Sequence, residues 1–229
     1  MEHRQRNGSI RLSDWLRRPG VLEVRNNREL LTRGMSIQPH DTANSQLTPE
    51  VKHFLFRNAN HYGADLKAID IHRARDHGLA SYGAYREWCG YERGNRWEDL
   101  YGSIPRALVE QLARWYDTVD DVELAVAGAL ETHHLGATVG PTFLCILLEQ
   151  FRRTRTGDRF FFENGADHGF DASQLRELRK ASIARLLCDN TAGLASMQNN
   201  AFLLPDANNP PVPCTELPAV QLEPWRERR

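Results

Sequence analysis

Cysteine is scarce in this chain of 229 residues, which holds only Cys89, Cys145, Cys188 and Cys214. None stands in a C-x-x-C spacing, so zinc ribbons are excluded, and counting alone leaves both four free thiols and three possible disulfide pairings open. An excess of either charge is also missing: 29 Lys and Arg face 30 Asp and Glu, for a formal net charge of −1. No surplus cation is left to release counterions from nucleic acid or to hold an anionic lipid surface, so neither partner is expected. Long apolar runs are absent. The longest, Thr142–Leu148, contains a threonine and falls far short of the roughly 20 residues that cross a bilayer. The opening Met-Glu-His-Arg-Gln-Arg-Asn-Gly has no apolar stretch or small-residue cleavage site, so no secretion signal is read there. One glycosylation sequon, Asn7-Gly8-Ser9, has meaning only in a secreted chain.

What is present is helical periodicity almost throughout. The spacing predicts helices near 49–57, 65–77, 80–89, 105–116, 121–131, 141–154 and 173–188, with no alternation that demands a sheet. The expected fold is therefore mainly α, with long irregular connections at 90–103 and 156–170. Thr48-Pro49-Glu50 reads as a helix start, and Asp120–Glu123 and Asp171–Gln174 as capping boxes. Pro141–Arg155 is apolar on nearly every side of its first two turns, a helix that others should wrap. Six of the 11 prolines fall in the last 25 residues, which excludes regular structure there and divides the chain into a domain over 1–204 and a proline-rich extended tail over 205–229.

One helix carries groups that a plain core does not explain. Within Ala64–Gly78, ending at a glycine suited to closing a helix, Leu66, Ile69, Asp70, Arg73 and His77 fall within about 60° of one direction. Two aliphatics, a carboxylate, a guanidinium and an imidazole thus share a face. A surface ion pair between Asp70 and Arg73, contributing a few tenths of a kcal/mol, would account for the charges equally well.

These residues carry a resemblance. Phe54–Asn58, Gly63–Leu66, Ile69–Leu79, Tyr85–Gly90, Val139–Phe143, Gly157–Asn164 and Leu186–Thr191 together resemble the animal haem peroxidases, in particular their arthropod peroxinectin and chorion-peroxidase branch. The resemblance covers most of 9–191. It implies a mainly α haem-peroxidase-like fold, haem as cofactor, and hydrogen peroxide with a small reducing substrate as partners, an activity that belongs to the response to oxidative stress. It further implies that Arg73 reaches a haem propionate, that Leu66 and Ile69 line the proximal side of the porphyrin, and that Asp70 accepts the ring N–H of the proximal histidine. In the best-known members that acceptor is asparagine. Asp70 is a full carboxylate, which either lowers the iron potential or is neutralised by Arg73.

The departures from the family pattern are as informative. The Gly-His-[Ser/Thr]-Leu phrase of the proximal histidine, the distal histidine with its arginine, and the calcium loop do not occur in this sequence. No catalytic residue and no metal ligand is therefore assigned. The chain is expected to be the C-terminal part of a peroxidase catalytic domain, inactive alone, with a non-enzymatic secreted adhesion or interaction module facing a cell surface as the alternative. His72 stands where glutamine is usual and should point off the Asp70 face, while His77 belongs to the Arg-Asp-His-Gly phrase and reads as structural. His133-His134 reads as a solvated helix end, and His40, His53, His61 and His168 have no ligand-type partners at useful spacing. No H-E-x-x-H, P-loop, G-x-S-x-G or C-x-x-C-H motif occurs. For the cysteines the family implies two bridges, Cys89–Cys145 and Cys188–Cys214, and with them an extracellular location, although no signal peptide is read in this chain.

Overall fold

A computed structural model describes residues 11–165 and 169–226. The sequon at Asn7 and His168 lie outside the described residues. Among the described residues ten α-helices and one two-stranded sheet are formed, and the chain divides into two compact units. The first comprises the described residues up to Arg17 together with Thr42–Arg153; the second comprises Arg18–Asp41 and the described residues from Thr154 onward.

In the first unit, α1 (Leu12–Trp15) and α3 (Pro49–Lys52) are single turns. They are tied by the Arg11–Glu50 ion pair at 2.7 Å and by the Ser13 amide donating to the other Glu50 oxygen at 3.0 Å. The helix expected over 49–57 stops at Lys52 because Leu55 turns aside to bridge Ala64 as a strand would. Gly63 makes that crossing possible: a Cβ there would lie 2.3 Å from the Leu55 carbonyl oxygen. Then follow α4 (Leu66–Asp76), α5 (Tyr82–Trp88), α6 (Arg106–Trp115), α7 (Leu124–Leu130) and most of α8 (Pro141–Gly157). The core is built from Tyr82, Leu100, Ile104, Val109, Leu112, Val119, Val122 and Ala127, which come from α5, α6, α7 and the turns between them.

A carboxylate lies inside this core. Glu131, at the end of α7, accepts from the Tyr82 hydroxyl at 2.8 Å and from the Thr142 hydroxyl and amide at 2.6 and 2.9 Å, with Arg86 Nη1 3.6 Å away. Arg86 also donates to the Glu92 carbonyl and the Ser103 hydroxyl, so both buried charges are satisfied. The Cys89–Cys145 disulfide closes a loop of 56 residues beside them. On the chain-entropy account such a loop stabilises by very roughly 3–4 kcal/mol. The wrapping expected of α8 is one-sided: Thr142 is buried, but Leu147 and Leu148 are exposed.

The expected 121–131 helix is two pieces. A 3₁₀ turn over Val119–Asp121 carries the capping box, formed by Thr118 and Asp121 rather than by Asp120 and Glu123, and α7 begins only at Leu124.

The second unit holds α2 (Asn27–Ile37), α9 (Ala172–Leu178), α10 (Ile183–Asn190), β1 (Ser196–Gln198) and β2 (Pro211–Pro213). α2 is not among the expected helices; it buries only Thr32, and its apolar Leu30, Leu31, Met35 and Ile37 are exposed. The single helix expected over 173–188 is broken at Arg179–Ser182, because the Ser182 hydroxyl accepts from the Arg185 amide and starts a new helix. The Asp171–Gln174 capping box forms as read. The proline-rich segment is extended but not without regular structure: β2 pairs antiparallel with β1, Val212 opposite Met197, with prolines at the two outer positions. Leu217 joins Ala184 and Met197 in a small core, and Cys188–Cys214 closes a loop of 26 residues across it.

Candidate functional site

α4 is a well-terminated helix. The Asp65 carboxylate accepts from the Lys67 and Ala68 amides at 2.8 and 3.1 Å, satisfying two of the free N–H groups at its start. At the other end Gly78 sits at φ +61°, with its amide on the Arg75 carbonyl and the Leu79 amide on that of Ala74, the reciprocal pair of a Schellman motif.

An open depression of about 560 Å³ runs along one side of this helix, lined by Asp65, Ala68, Ile69, His72, Arg73 and Asp76 among others. The volume lies within the range of small-molecule sites. Of the four residues singled out in the sequence, Ile69 and Arg73 line it together. Leu66 and Asp70 do not line it: both are half-buried, on the side of the helix that turns toward buried Ala74. His72, expected off the face, lines the depression, because the open side of α4 is centred nearer Ile69 and Asp76 than the wheel of apolar residues suggests. His77 lines it too.

The charges are arranged unevenly. Asp70 is paired not with Arg73 but with Lys67, whose Nζ is 3.7 Å away. That leaves the exposed Arg73 guanidinium with no protein partner among the described residues, beside a half-buried isoleucine. An unpaired fork of N–H donors can hold a carboxylate, with Ala64, Ala68 and Ile69 as the apolar part of a lining that also carries Asp65, His72, Asp76 and His77. The described residues contain no cluster of three or more His, Cys, Asp or Glu placed to hold a free metal ion.

On another side of α4 the largely exposed Arg75 side chain reaches the buried Glu123: Arg75 Nε donates to Glu123 Oε1 at 2.5 Å, and the Tyr116 hydroxyl donates to Glu123 Oε2 at 2.6 Å. Burial pushes the Glu123 carboxyl up, but the donors on Tyr116 and Arg75 outweigh it and hold the group below the usual carboxylate range. Burial and donation to Glu123 push the Tyr116 phenol up to about 12. The one sequence signal for this cluster is a carboxylate set between Val122 and Leu124, apolar neighbours that draw it inward.

Comparison with known proteins identifies the family. Residues 1–202 match the family described as animal haem peroxidase. A protein named Peroxidase from Drosophila melanogaster is 50% identical over all of this chain, which spans 33% of that relative. Chorion peroxidase from the same organism is 36% identical over 98% of the chain and 28% of its own length. Peroxidase A from Dictyostelium discoideum has a matching structure with a TM-score of 0.66 and 31% identity, covering 80% of this chain and 34% of that one. The chain therefore spans about a third of the length of each of these three relatives, and it belongs to the animal haem peroxidase family.

Proposed function

We propose that this chain forms the proximal wall of the haem pocket in a hydrogen-peroxide-dependent haem peroxidase, and that its 229 residues alone turn over no peroxide. The observation that carries this reading is the free Arg73 guanidinium beside Ile69 on the open side of α4, within a segment that matches the family from end to end. Bound haem supplies the redox chemistry by which peroxide is reduced and a small donor oxidised. Arg73 would hold a propionate through a charge-assisted contact of about 2 kcal/mol, and Ile69 and Leu66 would give the ring an apolar surface. Asp70, close enough to Lys67 for a loose ion pair, remains accessible enough to accept an imidazole N–H from a histidine elsewhere in a longer protein.

Two features support a longer working protein. The chain spans about a third of its relatives, and the apolar Leu147 and Leu148 of α8 are exposed, as a surface awaiting further packing would be. The two disulfides favour an oxidising, extracellular setting. Titration of the purified chain with hemin, followed by absorbance, tests the reading. The expected result is weak association without peroxide-dependent oxidation of guaiacol. A sharp stoichiometric Soret shift with turnover would overturn the inactive-alone part of it.

A further inference from the structure

α4 is only weakly fixed about its own axis by apolar packing. Of its eleven residues only Ala74 is fully buried, at 7% exposure, while Leu66, Ile69 and Ile71 are half-buried, so no large side chain is wedged deep into the core. A methyl group tolerates a rotation of some tens of degrees with little change in contact, whereas a hydrogen-bonded guanidinium does not. Arg75 supplies that directional contact through its bond to Glu123, which is only 8% exposed.

Glu123 is itself held from several sides. Its backbone bridges Ser81, the Tyr82 amide donates to the Val122 carbonyl at 2.9 Å, and the Glu123 carbonyl accepts the amides of Val126 and Ala127 at the start of α7. Its side chain is clamped by Tyr116. The path from Arg75 through Gly78 to Ser81 and back through Glu123 is a closed ring of covalent and hydrogen bonds. Two residues along a helix are about 200° apart, so Arg73 projects from the side nearly opposite Arg75. Whatever fixes the rotation of the helix at Arg75 also fixes the side from which Arg73 leaves it.

We infer that Glu123 is a positioning residue: through Arg75 it sets the rotation of α4 and so aims Ile69 and Arg73 at a porphyrin edge. This rests on the proposed haem-facing role of α4. Glu123 touches no cofactor and acts only through the helix.

Metal-free protoporphyrin IX is the probe, since its two propionates report on Arg73 without an iron ligand or turnover. Its fluorescence is titrated with the full chain and with variants whose helicity is checked by circular dichroism. Arg73→Ala is expected to weaken binding by about thirtyfold, the size of one charge-assisted contact. Glu123→Gln is expected to weaken it by roughly three- to fivefold when Arg73 is present and by nothing further in the Arg73→Ala background. Arg75→Lys, which keeps the charge but loses the Nε geometry, should follow Glu123→Gln, and Tyr116→Phe should give a smaller loss in the same direction. These two carry the test if Glu123→Gln does not fold. Losses that add fully to that of Arg73→Ala would overturn the positioning role, because Glu123 would then act otherwise than through Arg73. If Arg73→Ala weakens binding while the Glu123, Arg75 and Tyr116 variants leave it unchanged, the positioning role falls alone. If the unaltered chain and Arg73→Ala do not differ, the haem-facing reading of α4 falls and the positioning role with it.

Discussion

α6 and α4, ten and eleven residues long, are held in the first unit by opposite means. α6 drives Val109 and Leu112 into the core, at 0% and 2% exposure, and leaves its charges outside, where Arg106 and Glu110 pair one turn apart at 2.9 Å. α4 buries one alanine and is fixed by polar contacts at its ends and flank: the Asp65 cap, the Schellman turn at Gly78 and the Arg75–Glu123 bond. Apolar burial stabilises without direction, while hydrogen bonds add little net energy but impose geometry. α6 is thus a helix that contributes stability. α4 is one whose free side is kept clear for something else.

Substitutions should separate the two. The largest effect is expected at Leu112→Ala, which removes buried methyl groups and leaves a cavity among Tyr82, Leu100 and their neighbours; a loss of about 2–5 kcal/mol in urea unfolding is predicted. A loss below about 1 kcal/mol would mean that α6 is no better seated than α4. Next comes Asp65→Ala, which strips the α4 cap from two amides. It should cost ~1 kcal/mol and speed hydrogen exchange at Lys67 and Ala68, and unchanged exchange would show that the cap does not hold the helix start. Smallest is Arg73→Ala. Because the guanidinium has no protein partner among the described residues, the melting temperature should correspond to a change within roughly 0.5 kcal/mol. A larger drop would place Arg73 in the fold rather than at a ligand.

The face of α4 was legible in part. Ile69 and Arg73 could be placed together from helical spacing, and they line one depression. Asp70 could not be assigned its partner, since Lys67 and Arg73 are both three residues away and only the rotamers and the surroundings choose between them. His72 was misdirected for a related reason: the open side of a helix is set by what packs against the other side, and on α4 that is Ala74 and Arg75 rather than a stripe of large apolar residues. Elements with strong local signals came through, such as the Asp171 capping box and the amphipathic α6. The breaks at Lys52 and Leu178 did not, because each depends on a competing contact, the Leu55–Ala64 bridge in one case and the Ser182 cap in the other.

The amino-acid order alone determined the helical class, the position of α4 and the family phrases it carries, since periodicity, caps and short motifs are local properties of a chain. The tertiary structure decided which side of α4 is open, which cation Asp70 meets, and that Glu123 and Glu131 are drawn inside and satisfied there. Those outcomes depend on groups far apart in sequence, such as Arg75 with Glu123 or Tyr82 with Glu131, whose pairing becomes favourable only once folding has removed the water between them.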